Sequence, residues 1–134
     1  MSKRFPLNEE FSSVGLVITP RIKLDVSTVY GWHSIQFLID TGADFTAVPE
    51  SLAPVVGVDL TRCPKEKIYD GFEGRPCFAR MGHLTLRLGS TIHPVRCYFL
   101  EGKNAPYLLG RVDIFSRFNI FFQNDRREVT FSPF

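Results

Sequence analysis

Apolar residues in this chain recur mostly at every second position, in short runs broken by glycine, proline and polar turn residues. Ile22, Leu24 and Val26 alternate with Lys23 and Asp25, and residues 83–88 alternate in the same way. A period of two puts one set of side chains on a buried face and the other in water, which predicts half-buried strands. Gly31 turns the first strand back into 35–39, and Gly89-Ser90 turns the second into 91–100, with Val95, Cys97 and Phe99 on one face. Residues 107–109 predict a short buried strand, and 118–122 and 128–131 a final hairpin about the turn 123–127. Helical spacing is scarce. It predicts a helix over 112–118 and a turn with a short helix over 48–54, with Ser51 as its cap, Gly57 as its stop and Pro54 limiting its length. Residues 1–13 are polar and read as a loose arm or a partner-contacting strand ahead of a domain over 14–134. Many short strands with one or two short helices predict an all-β domain, closed or folded over on itself.

Composition narrows this further. A chain of 134 residues with 44% apolar content is long enough for one real core without metal or disulfide help. Its formal charge of +2 comes from 16 basic and 14 acidic residues scattered along the chain. No continuous basic stripe suits phosphate tracking, so nucleic acid is not an expected partner. Cys63, Cys77 and Cys97 are odd in number and lack Cys-x-x-Cys spacing, which speaks against a disulfide framework or zinc ribbon and for free thiols in a reducing compartment. With no apolar leader and no run of membrane-spanning length, the expectation is a soluble cytoplasmic protein without a membrane partner. His33, His83 and His93 share no metal-like spacing, and no Gly-x-Ser-x-Gly elbow supports serine catalysis. No cofactor is expected.

Two stretches carry candidate chemistry. In residues 35–44, Ile-Gln-Phe-Leu-Ile-Asp-Thr-Gly-Ala-Asp, the carboxylate of Asp40 follows an apolar strand and precedes Gly42. Asp40 leaves the core where the backbone turns, and an acid there is either hydrogen-bonded or functional. Gly42 lets another backbone or a ligand come close. The plain alternative is a turn closed by common turn residues. In residues 68–75, Gly71 and Gly74 bracket Phe72 and predict a hairpin tip. That tip is either an ordinary exposed hairpin or one whose Phe72 covers a ligand, with Tyr69 offering a hydroxyl.

Phe37-Leu38-Ile39-Asp40-Thr41-Gly42-Ala43 resembles the active-site signature of aspartic peptidases, and Asp44 extends the match toward the retroviral, or retropepsin, branch. Tyr107-Leu108-Leu109-Gly110-Arg111, followed by Ile114-Phe115, resembles that family's apolar-apolar-Gly-Arg segment and C-terminal helix. The resemblance covers about residues 14–122. It implies a retropepsin-like closed β-barrel with a single Asp-Thr-Gly lobe, acting as an aspartic endopeptidase on polypeptide. It also implies a flap at Tyr69, Gly71, Phe72 and Gly74 over the substrate, with Ala43 and Asp44 lining the cleft. Thr41 would bond across a twofold axis, Gly42 would leave room for substrate backbone, and Arg111 would hold Asp44 in a partly buried, directional contact.

Hydrolysis by carboxylates needs an acid and a base at one pH, which two carboxyls sharing a proton supply. No second Asp-Thr-Gly or Asp-Ser-Gly follows, so the second carboxylate has to come from another copy, in a homodimer. The sequence departs from the family in three places. Val112 stands where Asp or Asn is frequent, with Asp113 one residue later. Phe72 is larger than the usual flap residue, and residues 123–134 run past the usual last strand. A non-catalytic peptide-binding or dimerisation module of the same fold is the alternative, and an unrelated small β-barrel a weaker one.

Overall fold

The structure, a computed structural model, describes residues 2–69 and 76–134. In chain order its strands are β1 (Lys3–Pro6), β2 (Asn8–Ser12), β3 (Gly15–Thr19), β4 (Arg21–Thr28), β5 (Gly31–Ile39) and β6 (Thr46–Pro49). They continue as β7 (Lys65–Tyr69), β8 (Pro76–Leu88), β9 (Thr91–Leu100), β10 (Leu108–Leu109), β11 (Phe118–Gln123) and β12 (Glu128–Pro133). The all-β expectation holds. The described helical pieces are three-residue 3₁₀ turns at Glu50–Leu52, Leu60–Arg62 and Asn124–Arg126.

The main sheet runs β4-β5-β10-β6-β9-β8-β7. The far end of β8 also pairs with β4, Asp25 opposite Arg87 and Val26 opposite Leu86, so the sheet closes into a barrel. Alternation decides what fills it. Ile22, Leu24 and Val26 of β4 are buried while Lys23 is exposed, and Leu84 and Leu86 of β8 are buried with Val95, opposite Leu84, on β9. Each fully buried Leu, Ile or Phe is worth roughly 1.5–3 kcal/mol relative to exposure. Such burial, at Leu109, helps hold the two-residue β10 between β5, which it joins in parallel, and β6, which it joins antiparallel.

The first residues are part of the fold rather than a loose arm. β1 pairs with β12, and β12 with β11, in a separate three-stranded sheet. Phe5 is buried edge-on against Phe131, ring centroids 5.4 Å apart, and Leu7 is buried with its N–H donating to the Arg127 carbonyl at 2.7 Å. Two apolar residues in a polar stretch give no periodic signal, yet both reach the core. β2 and β3 form a hairpin of their own.

The helix expected over 112–118 is absent. Phe115 and Phe118 each donate one helical-type bond, to the carbonyls of Arg111 and Ile114, but Asp113 sits at φ 68° and breaks the run into turns. Ser51 is not a cap either. It lies inside the 3₁₀ turn, whose N-terminal flank is Pro49 without a side-chain bond.

Candidate active site

Asp40 is delivered by β5 at the point where three segments meet. Ile39 donates its N–H to the Pro20 carbonyl at 2.8 Å, Leu38 to that of Tyr107 at 2.9 Å, and Asp40 to that of Leu109 at 2.9 Å. The loop is thus fixed to the start of β4 on one side and to β10 on the other. Phe37 and Ile39 point into the core, which leaves Leu38 and Asp40 on the opposite, partly open face. Beyond Asp40 the chain turns back tightly. Gly42 donates its N–H to Asp40 Oδ1 at 3.0 Å, and Ala43 to the Asp40 carbonyl at 3.2 Å. A Cβ at position 42 would sit 3.4 Å from that same carboxylate oxygen. Thr41 and Gly42 are exposed, Asp40 and Ala43 half-buried.

The second motif grips the first mainly through backbone. Arg111 donates its N–H to the carbonyls of Ala43 and Asp44, both at 3.0 Å, and Val112 donates to Asp44 at 2.8 Å. Gly110 donates to Oγ1 of Thr46 at 3.1 Å. Thr46 is fully buried, and its hydroxyl satisfies an amide that would otherwise be stranded in the core. The Arg111 guanidinium also contacts the Asp44 carboxylate. That contact is more open than expected, with the Arg111 side chain 44% and that of Asp44 71% exposed. An exposed pair is worth less than about 1 kcal/mol, so the backbone bonds hold the loop and the ion pair orients it.

A groove of about 570 Å³ runs along the outer face of β5, lined by Arg21, Gln36, Leu38, Pro106, Tyr107 and Leu108 among others. Leu38, one of the lining residues, lies two residues before Asp40 on the same strand face. Of its lining, Ile35, Gln36, Leu38 and the 107–108 pair belong to the stretches that stand out in the sequence. Arg21 enters because β4 sets it opposite Leu38, a pairing with no local signature.

Most of the flap expected from the sequence lies outside the described residues, namely 70–75, with Gly71, Phe72 and Gly74, and the Tyr69 side chain. The strands on either side, β7 and β8, are antiparallel and pair up to Tyr69 opposite Pro76.

One supporting pair has no trace in the sequence. Asp113 accepts from the Arg96 backbone N–H at 2.9 Å and from its guanidinium at 3.0 Å, tying the turn after Arg111 to β9. These bonds, chiefly that to the guanidinium, hold the Asp113 carboxyl down to about 2. Asp113 lies seventeen residues after Arg96, in a turn that looks helical in sequence. Among the described residues no cluster of three or more His, Cys, Asp or Glu side chains could hold a metal ion.

The family model described as gag-polyprotein putative aspartyl protease matches residues 27–117, from the end of β4 through Asp40 and Arg111. Among solved structures, a retropepsin-like aspartic protease from Rickettsia conorii superposes with a TM-score of 0.67 at 17% identity, covering 98% of this chain and 89% of that one. No curated protein sequence matches the chain. The fold is therefore retropepsin-like, and the chain belongs to the gag-polyprotein aspartyl protease family.

Proposed function

We propose that the protein is a homodimeric aspartic endopeptidase whose catalytic carboxyls are Asp40 of one copy and Asp40 of a second. The observation that carries this reading is the half-exposed Asp40 carboxylate on a loop fixed by Leu109, Arg111 and Val112, with one such loop in the chain. Two carboxyls about 3 Å apart cannot both ionise, so the pair holds one proton between them. The ionised member takes a proton from water as the water oxygen bonds to the peptide carbonyl carbon. The protonated member gives its proton to the carbonyl oxygen, forming a tetrahedral diol. Collapse of the diol breaks the C–N bond as a proton passes to the leaving nitrogen, releasing acid and amine. The groove along β5 suits a substrate side chain next to the scissile bond, with Leu38, Tyr107 and Leu108 providing apolar contact and Arg21 a charge at one side.

The test compares wild type with Asp40→Asn on an unfolded polypeptide, from mildly acidic to neutral pH, with self-association measured by sedimentation. Cleavage by wild type and none by the variant, from proteins that dimerise alike, is the expected result. Cleavage falls as pH rises through the upper apparent value of the pair, where the shared proton is lost. Intact substrate with both folded dimers would leave a peptide-binding or dimerisation module instead.

A further inference from the structure

The β2–β3 hairpin carries apolar side chains that its own chain leaves bare. Phe11 is 89% exposed, Leu16 directly opposite it is 56% exposed, and Val14 in the turn is exposed as well. Paired residues on two antiparallel strands share a face. Phe11 and Leu16 therefore continue the face that, at Ile18, packs against the core. Seated at its root, this face overhangs solvent at its tip.

The overhang is also held in position. Arg21 pairs with Glu10 at 3.1 Å, and Arg127 donates its Nε–H to Glu9 at 2.9 Å. A two-stranded hairpin is marginal in water by itself, so these anchors fix where the bare tip is presented. With both glutamates engaged inside the chain, the tip offers apolar contact.

Its root decides what lies within reach. The hairpin ends at Thr19, and the carbonyl of the next residue, Pro20, accepts from Ile39, the neighbour of Asp40. An axis that brings two Asp40 carboxyls together therefore passes within roughly 15 Å of both hairpin roots, given about 3.8 Å per residue along the chain and about 4.8 Å between paired strands. A five-residue strand at about 3.3 Å per residue extends roughly 17 Å, comparable to the distance from root to axis.

We infer that the β2–β3 hairpin is a clasp on the second copy of this chain, burying Phe11 and Leu16 of each chain against its twin beside the paired Asp40 loops. This rests on the homodimer reading above and adds an interaction surface to it. Both substituted residues are exposed and directly paired, so the uncharged, strand-compatible change Phe11→Thr/Leu16→Thr is not expected to disturb the monomer fold. The double variant, with its far-ultraviolet circular dichroism unchanged, should self-associate at least tenfold more weakly than wild type by sedimentation equilibrium. Two variant chains joined head to tail by a flexible linker should recover the cleavage of a linked wild-type pair. An unchanged dissociation constant overturns the clasp while leaving the homodimer intact, and lower cleavage at that unchanged constant would assign the hairpin to substrate instead. Wild type that stays monomeric at every concentration would sink the homodimer and the clasp together. Should the double variant misfold, amide exchange in wild type decides. Protection of residues 10–17 that rises with protein concentration supports the clasp, and concentration-independent exchange overturns it.

Discussion

Gly110 shows how little space separates the two motifs. A Cβ there would lie 2.3 Å from the carbonyl carbon of Phe45 and 2.7 Å from the amide nitrogen of Thr46, both backbone atoms that cannot swing aside. Gly110→Ala should destabilise the fold by about 3 kcal/mol in urea denaturation and depress cleavage in whatever remains folded, because relief has to displace the loop that carries Asp44. A change within about 0.5 kcal/mol would mean that the loop is not so tightly held. Asp113 makes a different prediction. Its folded value of about 2 lies below the ordinary 3.8, so its contribution is complete above about pH 4 and is lost as pH falls through about 2. Solvent screening around the half-exposed Arg96 side chain limits this to about 1 kcal/mol. Asp113→Asn tolerates the left-handed backbone but removes the charge and leaves one accepting oxygen where Arg96 uses two, so wild type and variant should differ at neutral pH and approach each other in acid denaturation toward pH 2, where the wild-type carboxyl takes up its proton. Parallel stability curves down to that pH would contradict it.

Strands and turns differ in how much of them the sequence discloses. The β4–β5 and β8–β9 hairpins are legible because a period of two with glycine turns is a local property, and the Asp40 loop is legible because its chemistry lies within a few residues. The closure of β8 on β4 is not, since Val26 and Leu86 lie far apart in sequence and each looks like any other buried strand position. Residues 112–118 mislead because apolar Val112, Ile114, Phe115 and Phe118 suit one helical face, while the left-handed Asp113 that breaks the run is bonded to the distant Arg96. The openness of the Arg111–Asp44 contact is likewise a tertiary fact. β1 misleads in the opposite sense, being polar enough to pass for a tail while Phe5 fills the space against Phe131. Phe5→Ala should therefore cost about 3 kcal/mol and lower the denaturation midpoint without changing its slope. A true tail would show almost no effect.

At the scale of the whole molecule, each barrel presents one Asp40, whereas the proposed chemistry, with an acid and a base at one pH, calls for two. The elements around that loop fit this need. The hairpin rooted at Pro20 extends bare apolar residues from beside the loop, and Phe121 and Phe122 on β11 leave further apolar surface on the terminal sheet. A chain that worked alone would have no use for a twin. The decisive measurement mixes wild type with Asp40→Asn at fixed total concentration, lets subunits exchange, and follows cleavage as the wild-type fraction falls. If one Asp40 from each copy is required, cleavage follows the square of that fraction, about a quarter remaining in an equal mixture. A linear fall, with about half remaining, would show that a single chain suffices and would contradict the shared centre.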